Sequence, residues 1–282
     1  MSVNVEEKHL YLSTRKTGLA HRFFEILQYR SLLWTLAWRD IRVRYKQSLL
    51  GILWAMFVPV SMVLLFSFVF TKIVSVKTDV PYPIFAYCGL LPWQLFSAST
   101  TAATNSLLAN RSLVTKIYFP TEVFPLSTII ACFVDFLVGS IVLILLMVYY
   151  SLTGFAITIS WTAIFVIIVV LVQILFTAGV SFFLSMGNLF FRDVRYIYSV
   201  IITLWMFASS VVYPMKVDNP NMQKILNLNP ITPILDAYRD VLLRGKMPDL
   251  ESFGYAFIIS VIVFLSGWFV FFKTQHKFAE KA

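Results

Sequence analysis

The 282-residue chain is 59% hydrophobic and only 13% charged, with a formal net charge of +9. A water-soluble surface needs roughly 25% charged residues, so this composition excludes a soluble globule and, through its high hydrophobicity, a disordered chain. Two cysteines, Cys88 and Cys132, both within apolar runs, are too few for a disulfide scaffold and read as buried and reduced. A basic chain of this kind is read as a membrane protein with positively charged inner ends, not as a nucleic-acid binder.

In chain order, residues 1–22 form an extension without a periodic signal. The first apolar run starts only after Lys46, so no cleavable leader is expected. Residues 23–47 carry too many charges to cross a bilayer, yet Leu33, Ala37 and Ile41 recur at helical spacing beside Trp34, Trp38 and Tyr45. That pattern predicts an amphipathic helix at the inner interface, with Arg39, Arg42, Arg44 and Lys46 toward lipid phosphates. Those four are candidate ligands for an anionic lipid headgroup and equally good as simple positive anchors.

A helix needs about 20 apolar residues to cross the hydrocarbon core. The charge-free runs give six candidates within 48–272, at about 48–71, 84–106, 123–150, 160–186, 196–215 and 252–272. The third and fourth come from one 56-residue run, split at the turn-like Ser151-Leu152-Thr153-Gly154. With both termini inside, sixteen Lys and Arg fall on the inner side and seven on the outer, as positive-inside sorting favours. Residues 273–282 form the cytoplasmic tail. The expectation is an all-α integral membrane protein of six transmembrane helices, with an N-terminal interface helix and short re-entrant outer helices between spans 5 and 6.

Several segments stand out. The loop between spans 2 and 3 carries Arg111, Lys116, Tyr118, Phe119 and Glu122, a set that fits docking of a partner or packing on the spans. The proline-rich outer tract contains two helix-like pieces, Asn221 to Leu228 and Ile234 to Arg244. Leu235, Tyr238 and Leu242 share a face of the second, which suits a cap or gate. Asp135 lies inside span 3, where an unpaired charge costs several kcal/mol; it is either an ion or proton site or bonded to a neighbouring helix. Span 2 is rich in small polar residues (Ser97, Ser99, Thr100, Thr101, Thr104, Asn105 and Ser106), which serve close packing or a wet lumen and should not face lipid. Trp54, Phe57, Ser61 and Phe68 approximate a stripe on span 1, and Tyr198, Trp205 and Val212 share a face of span 5. Flat aromatic faces suit a tunnel for a long carbohydrate; lipid-facing or core packing is the alternative.

The chain lacks a phosphate loop: Gly245-Lys246 has Asp240 where the first glycine should stand. His9, His21 and His276 lie outside the spans and form no H-E-x-x-H, so no metal site is expected, and no G-x-S-x-G elbow occurs. A membrane-embedded transferase would need a catalytic acid or base, and no convincing set is present.

Six short motifs recur in one order. They are Trp38-Arg39-Asp40-Ile41-Arg42-Val43-Arg44-Tyr45, Leu50-Gly51-Ile52-Leu53-Trp54, Gly89-Leu90-Leu91-Pro92-Trp93, Lys116-Ile117-Tyr118-Phe119-Pro120, Asn188-Leu189-Phe190-Phe191-Arg192-Asp193-Val194, and Asn229-Pro230-Ile231-Thr232-Pro233 with Tyr238-Arg239. Together they resemble the ABC-2 type permease of bacterial polysaccharide exporters, most of all the O-antigen exporter, over about Trp34 to Phe272; the longer N-terminal extension is the main departure. The resemblance implies a transport subunit of the bacterial inner membrane with no cofactor of its own. It would pair with a second copy of itself and with two separate ATPase subunits that bind ATP and Mg. Lipid-linked polysaccharide would leave through a channel between the copies, with membrane lipids around it and no nucleic acid involved. Arg111, Lys116, Tyr118, Phe119 and Glu122 would then couple to the ATPase, and Trp54, Phe57, Ser61, Phe68, Tyr198 and Trp205 would line the channel. Leu235, Tyr238, Arg239 and Leu242 would gate it outside. Export of capsule or teichoic acid is the near alternative; an ATPase-independent channel or proton-coupled carrier using Asp135 is the alternative of another class.

Overall fold

The computed structural model describes residues 19–275 apart from 47, 75, 77, 117–118, 156–159, 215–225 and 227. The expected extension up to residue 18, Tyr118, most of Asn221 to Leu228, and the tail after residue 275 therefore lie outside the described residues. Every regular element described is helical.

The expected interface helix is two helices, α1 (Leu19–Gln28) and α2 (Arg30–Tyr45), separated at Tyr29. The apolar stripe lies in part where its spacing predicted: α2 buries Ala37 and Ile41, leaves Leu33 half-buried and buries Leu36 instead, while Trp34 and Trp38 stay exposed. The buried stripe packs on α6 (Val123–Leu152), so α2 is fastened to the bundle by side chains as well as by its charges.

Among the described residues, four stretches are long and apolar enough to cross a bilayer: Gly51–Ile73, Val123–Leu152, Trp161–Phe190 and Leu250–Thr274. The first starts as a 3₁₀ turn, continues as α3 (Trp54–Phe68) around Pro59 and ends in a π turn, Val69–Ile73. The second is α6, which stops where the sequence predicts, at Thr153 and the left-handed Gly154 (φ +86°). The third opens with the 3₁₀ turn Trp161–Phe165 and becomes α7 (Val166–Phe190). The fourth is α10 (Leu250–Thr274), capped by Asp249, whose carboxylate accepts from the Ser252 N–H (3.0 Å) and hydroxyl (2.6 Å).

The second expected span is α4 (Tyr82–Ala109), a 28-residue helix at the centre of the bundle, against α3, α6, α7, α8 (Val194–Phe207) and α9 (Ile231–Arg239). Its many hydroxyls make it less apolar than its neighbours, and most of its residues are buried. A six-residue helix, α5 (Arg111–Lys116), follows it. On the far side of the bundle α7 and α10 meet backbone to backbone. A Cβ on Gly179 would lie 2.6 Å from the Val263 carbonyl, and one on Gly267 would lie 2.5 Å from the Gly179 carbonyl. Small residues let apolar helices gain contact where lipid gives no hydrophobic drive.

Span 5 needs correction. The sequence runs apolar from residue 196 to 215, but α8 covers 14 residues and ends at Phe207. The stop comes from elsewhere in the chain: the Asn229 amide donates to the Ala208 carbonyl (2.9 Å) and the Ser209 hydroxyl (2.7 Å), and Arg239 donates to the Val211 carbonyl (2.8 Å). Carbonyls held this way do not continue the helix, so Val212 leaves the face it was expected to share with Tyr198 and Trp205. The second outer piece begins at Ile231, three residues earlier than expected; α9 runs into a π turn, Asp240–Arg244, closed by the left-handed Gly245 (φ +62°).

Candidate functional site

Beside α4 lies a cavity of about 740 Å³, walled by the end of α2, α3, α4, α6 and Ile202 of α8. Gln94, Ser97, Thr101 and Asn105 of α4 reach it at intervals of three and four residues, one face of a helix. Trp54, Val58 and Pro59 of α3 and Phe136 of α6 form the apolar wall. The polar set that the sequence showed on span 2 is thus divided. Ser99, Thr100, Thr104 and Ser106 are buried, and Thr100, Thr104 and Ser106 bond back to carbonyls of their own helix, while Ser97, Thr101 and Asn105 line the cavity. In an apolar bundle, an accessible polar stripe marks a surface that meets something wetter than lipid.

At one end of the cavity Asp135 is held from two sides. Arg44 Nη1 forms an ion pair with Oδ2, and the Tyr45 hydroxyl donates to Oδ1 at 2.5 Å. Arg44 Nη2 also points to Cys132 Sγ at 3.6 Å. Asp135 is therefore bonded to a neighbouring helix, as one of its two expected states had it, but as an ion-paired carboxylate and not in the protonated form that state assumed. The pair also alters the reading of Arg44, whose charge is already matched by a carboxylate inside the bundle. Of the other proposed headgroup residues, Arg39 bonds Asp40 (2.7 Å) and Asn110 (2.8 Å), Arg42 stands over the Trp38 ring (5.5 Å), and Lys46 is exposed.

The aromatic stripes separate. Trp54 lines the cavity and meets Phe57 edge to face at 5.3 Å, whereas Phe57, Ser61 and Phe68 form an exposed face of α3. Tyr198 is buried, hydrogen-bonded to Thr100 at 2.6 Å, and edges a smaller cavity of about 340 Å³ with Thr101, Asn105 and Arg195. Trp205 packs edge to face on Phe96 (5.3 Å) and Phe176 (6.2 Å), and its indole N–H donates to Asn229 Oδ1 (3.0 Å). Within one copy, then, Trp205 is a wedge between helices.

Of the two readings of the loop between α4 and α6, docking and packing on the spans, Phe119 takes the second: it is buried against Phe124 at 5.4 Å. Glu122 is fully buried, near Arg22 and the Trp268 indole, and burial raises its carboxyl above the usual range. Arg111 is exposed at the start of α5, and Lys116 ends that helix. Sequence periodicity does not decide this inward turn, because the neighbours of Glu122 lie on the distant α1 and α10.

At the other end of the bundle the expected gate residues also face inward. Leu235 and Tyr238 are buried, Leu242 is half-buried, and the Tyr238 hydroxyl donates to Gln173 Oε1 at 2.6 Å. Arg239, 1% exposed, bonds Asp236 (2.9 Å), Ser210 (3.3 Å) and the carbonyls of Val211 and Phe85, with its guanidinium 3.9 Å over the Phe85 ring. Gly89 supplies the space: a Cβ there would collide with the guanidinium and the Val211 carbonyl. The Gly89-Leu90-Leu91-Pro92-Trp93 motif thus has a physical basis, since its glycine is the seat of Arg239. Nearby, Arg244 ties Asp240 (2.7 Å) to Asp79 (2.5 Å), and that bond holds the Asp79 carboxyl below its ordinary value.

Residues 31–243 match the ABC-2 type transporter family. The O-antigen export system permease protein RfbA of Myxococcus xanthus is 31% identical over 259 residues, covering 91% of this chain and 97% of that protein. A Klebsiella pneumoniae protein of the same name is 30% identical, with 86% and 91% covered. The polysialic acid transport protein KpsM of Escherichia coli is more distant, at 23% identity over 81% of this chain and 88% of its own. The long apolar helices, the polar face inside them and these matches agree: the chain belongs to the ABC-2 type transporter family, as a membrane transport component similar to O-antigen export permeases.

Proposed function

We propose that this chain is the permease subunit of an ATP-driven exporter that carries lipid-linked O-antigen-type polysaccharide across the bacterial inner membrane. The observation that carries the reading is the cavity beside α4, where Gln94, Ser97, Thr101 and Asn105 run along an otherwise apolar bundle opposite Trp54. Hydroxyl and amide groups match sugar hydroxyls, an indole face matches sugar C–H groups, and neither is selective for linkage. That suits a polymer that must slide.

In this reading the chain spans the membrane six times with both termini cytoplasmic, α4 and α8 completing the four longer apolar spans. It works as a homodimer whose copies meet along the exposed α3 face that carries Phe57, Ser61 and Phe68, so that the two polar cavities border one conduit. Two copies of a separate ATPase, holding ATP and Mg, dock on the cytoplasmic end near α1, α2 and Arg111. Phe119 and Glu122, being buried, pass the movement inward through α10 and α6 without touching the partner themselves. The Tyr238 and Arg239 region closes the outer end. The carboxylate of Asp135 is matched by Arg44 and Tyr45, which favours a charge-paired cluster over a proton-carrying site. The similarity to the O-antigen permeases exceeds that to KpsM, which favours O-antigen over capsule as cargo.

Affinity purification of the tagged chain from native membranes tests the assembly, and surface O-antigen in a strain lacking the chain tests the cargo. A stoichiometric P-loop ATPase and restored long-chain O-antigen are expected. A chain that purifies alone, or one whose loss leaves surface glycan unchanged, overturns the reading.

A further inference from the structure

Arg44 occupies an unusual position for an ion-paired arginine. Its side chain is 36% exposed and that of Asp135 22%, and both belong to the wall of the 740 Å³ cavity. The guanidinium has one strong partner, Asp135, and one weak one, the Cys132 sulfur. Asp135 has two, because the Tyr45 hydroxyl holds its other oxygen. The arrangement is asymmetric: Arg44 can turn away without leaving Asp135 bare, since Tyr45 stays on the carboxylate. A buried carboxylate stripped of every partner would cost several kcal/mol; here one hydrogen bond remains and the cavity admits water.

The group best able to replace Asp135 at Arg44 is a phosphate. It carries more charge than a carboxylate and accepts the planar guanidinium fork in the same bidentate way. The cavity beside it has room for attached chemistry, with the polar α4 face for a sugar and the Trp54–Pro59 wall for an apolar chain.

We propose that Arg44 and Asp135 form an exchangeable pair: Asp135 holds Arg44 in the empty cavity, and a phosphate group at the head of a lipid displaces it, leaving Asp135 on Tyr45. This rests on the export reading above and deepens it, by naming the pair that receives the anionic head of the cargo. Asp135 acts as a stand-in ligand. It keeps the cation from binding any passing anion weakly, and it sets a threshold that only a multiply charged head overcomes.

The test uses the purified full-length chain with farnesyl pyrophosphate as a soluble isoprenoid pyrophosphate, read by thermal shift and calorimetry. Asp135→Asn removes the competitor and is expected to tighten binding about tenfold, one unit of 1.4 kcal/mol. Arg44→Gln is expected to weaken it at least as much, with Arg44→Lys between Gln and the native residue. Equal affinity in the native chain and Asp135→Asn, or undiminished binding in Arg44→Gln, overturns the proposal. Should Arg44→Gln fail to fold, the Lys variant and Asp135→Asn carry the test. Repeating the titration in phosphatidylglycerol and in phosphatidylcholine nanodiscs separates the sources. Equal binding in both assigns the site to the pyrophosphate lipid, and loss in phosphatidylglycerol alone assigns it to phospholipid headgroups; in either case the exchange stands. Complementation keeps the two readings apart. Normal affinity shifts without export would sink the export reading alone, and export with affinity indifferent to both residues would sink the exchange alone.

Discussion

Two arginines pair with aspartates at opposite ends of the bundle, and their surroundings make them different devices. Arg239 is sealed, with Asp236, Ser210, two backbone carbonyls and the Phe85 ring around it and with Gly89 shaped to admit it. Arg44 faces a cavity and has a single strong partner. An arginine enclosed on all sides by donors' partners fixes a structure; one with an open flank and a single carboxylate is free to trade. Ion pairs in membrane proteins therefore cannot be sorted by charge alone, and what else each member touches decides.

The largest expected effect is on the sealed arginine. Arg239→Ala removes the ties of α9 to α4 and to the residues after α8, and should cost about 3–5 kcal/mol, since the buried carbonyls of Val211 and Phe85 lose their donor at roughly 1–3 kcal/mol each while the half-exposed Asp236 stays in water. Fluorescence-detected size exclusion should show little folded protein, whereas Arg44→Gln should stay within about 1 kcal/mol of native, as half-exposed pairs do. Equal losses would erase the distinction. Next comes Gly89→Val, which occupies the seat of the same guanidinium and should cost about 2–3 kcal/mol by overpacking. Because both changes strike one contact, the double variant Gly89→Val/Arg239→Ala should be less destabilised than the sum of the single variants. Trp205→Ala should cost about 2 kcal/mol in a thermal melt, below the range for a sealed tryptophan because the ring is only partly enclosed; a melt unchanged by this substitution would detach Trp205 from the packing described.

The smallest effect carries a pH signature. Burial raises the Glu122 carboxyl above its unfolded value, so its protonated form is the one the fold favours. That contribution is present below the ordinary carboxylate pKa of about 4.3 and is lost as pH rises through the raised value. Glu122→Gln should flatten this part of the stability profile and raise the melting temperature slightly at neutral pH. A profile identical to native would remove Glu122 from the balance.

Much of the helical framework is legible in the sequence. The turn at Thr153–Gly154, the α2 stripe and the long apolar helices follow from local spacing and need no distant information. What sequence reading misses is supplied across the chain. The residues after Phe207 stay uncharged, with Ser209, Ser210 and Pro214 as the local signs of a stop, but the bonds from Asn229 and Arg239 lie more than twenty positions on. Arg44 and Asp135 are each conspicuous, but 91 positions separate them and no local pattern joins them. The hydroxyls of α4 were visible as a set; their division into a buried half and a cavity half depends on which neighbours lie on which side. For Phe119 and Glu122 the sequence leaves docking and packing open; they pack inward, Phe119 on Phe124 of α6 and Glu122 beside Arg22 of α1 and Trp268 of α10.

The short α8 has a consequence for the lipid around it. Fourteen helical residues rise about 21 Å, some two-thirds of a hydrocarbon layer about 30 Å thick. Beyond it the carbonyls of Ala208, Val211 and Val212 leave the helix ladder, and in the six-span reading a bilayer core would offer them no hydrogen bonds. Asn229 donates to the Ala208 carbonyl, Arg239 to that of Val211 and the Tyr82 hydroxyl to that of Val212. Three side chains, one from earlier in the sequence and two from later, would serve this backbone as the water that a membrane withholds.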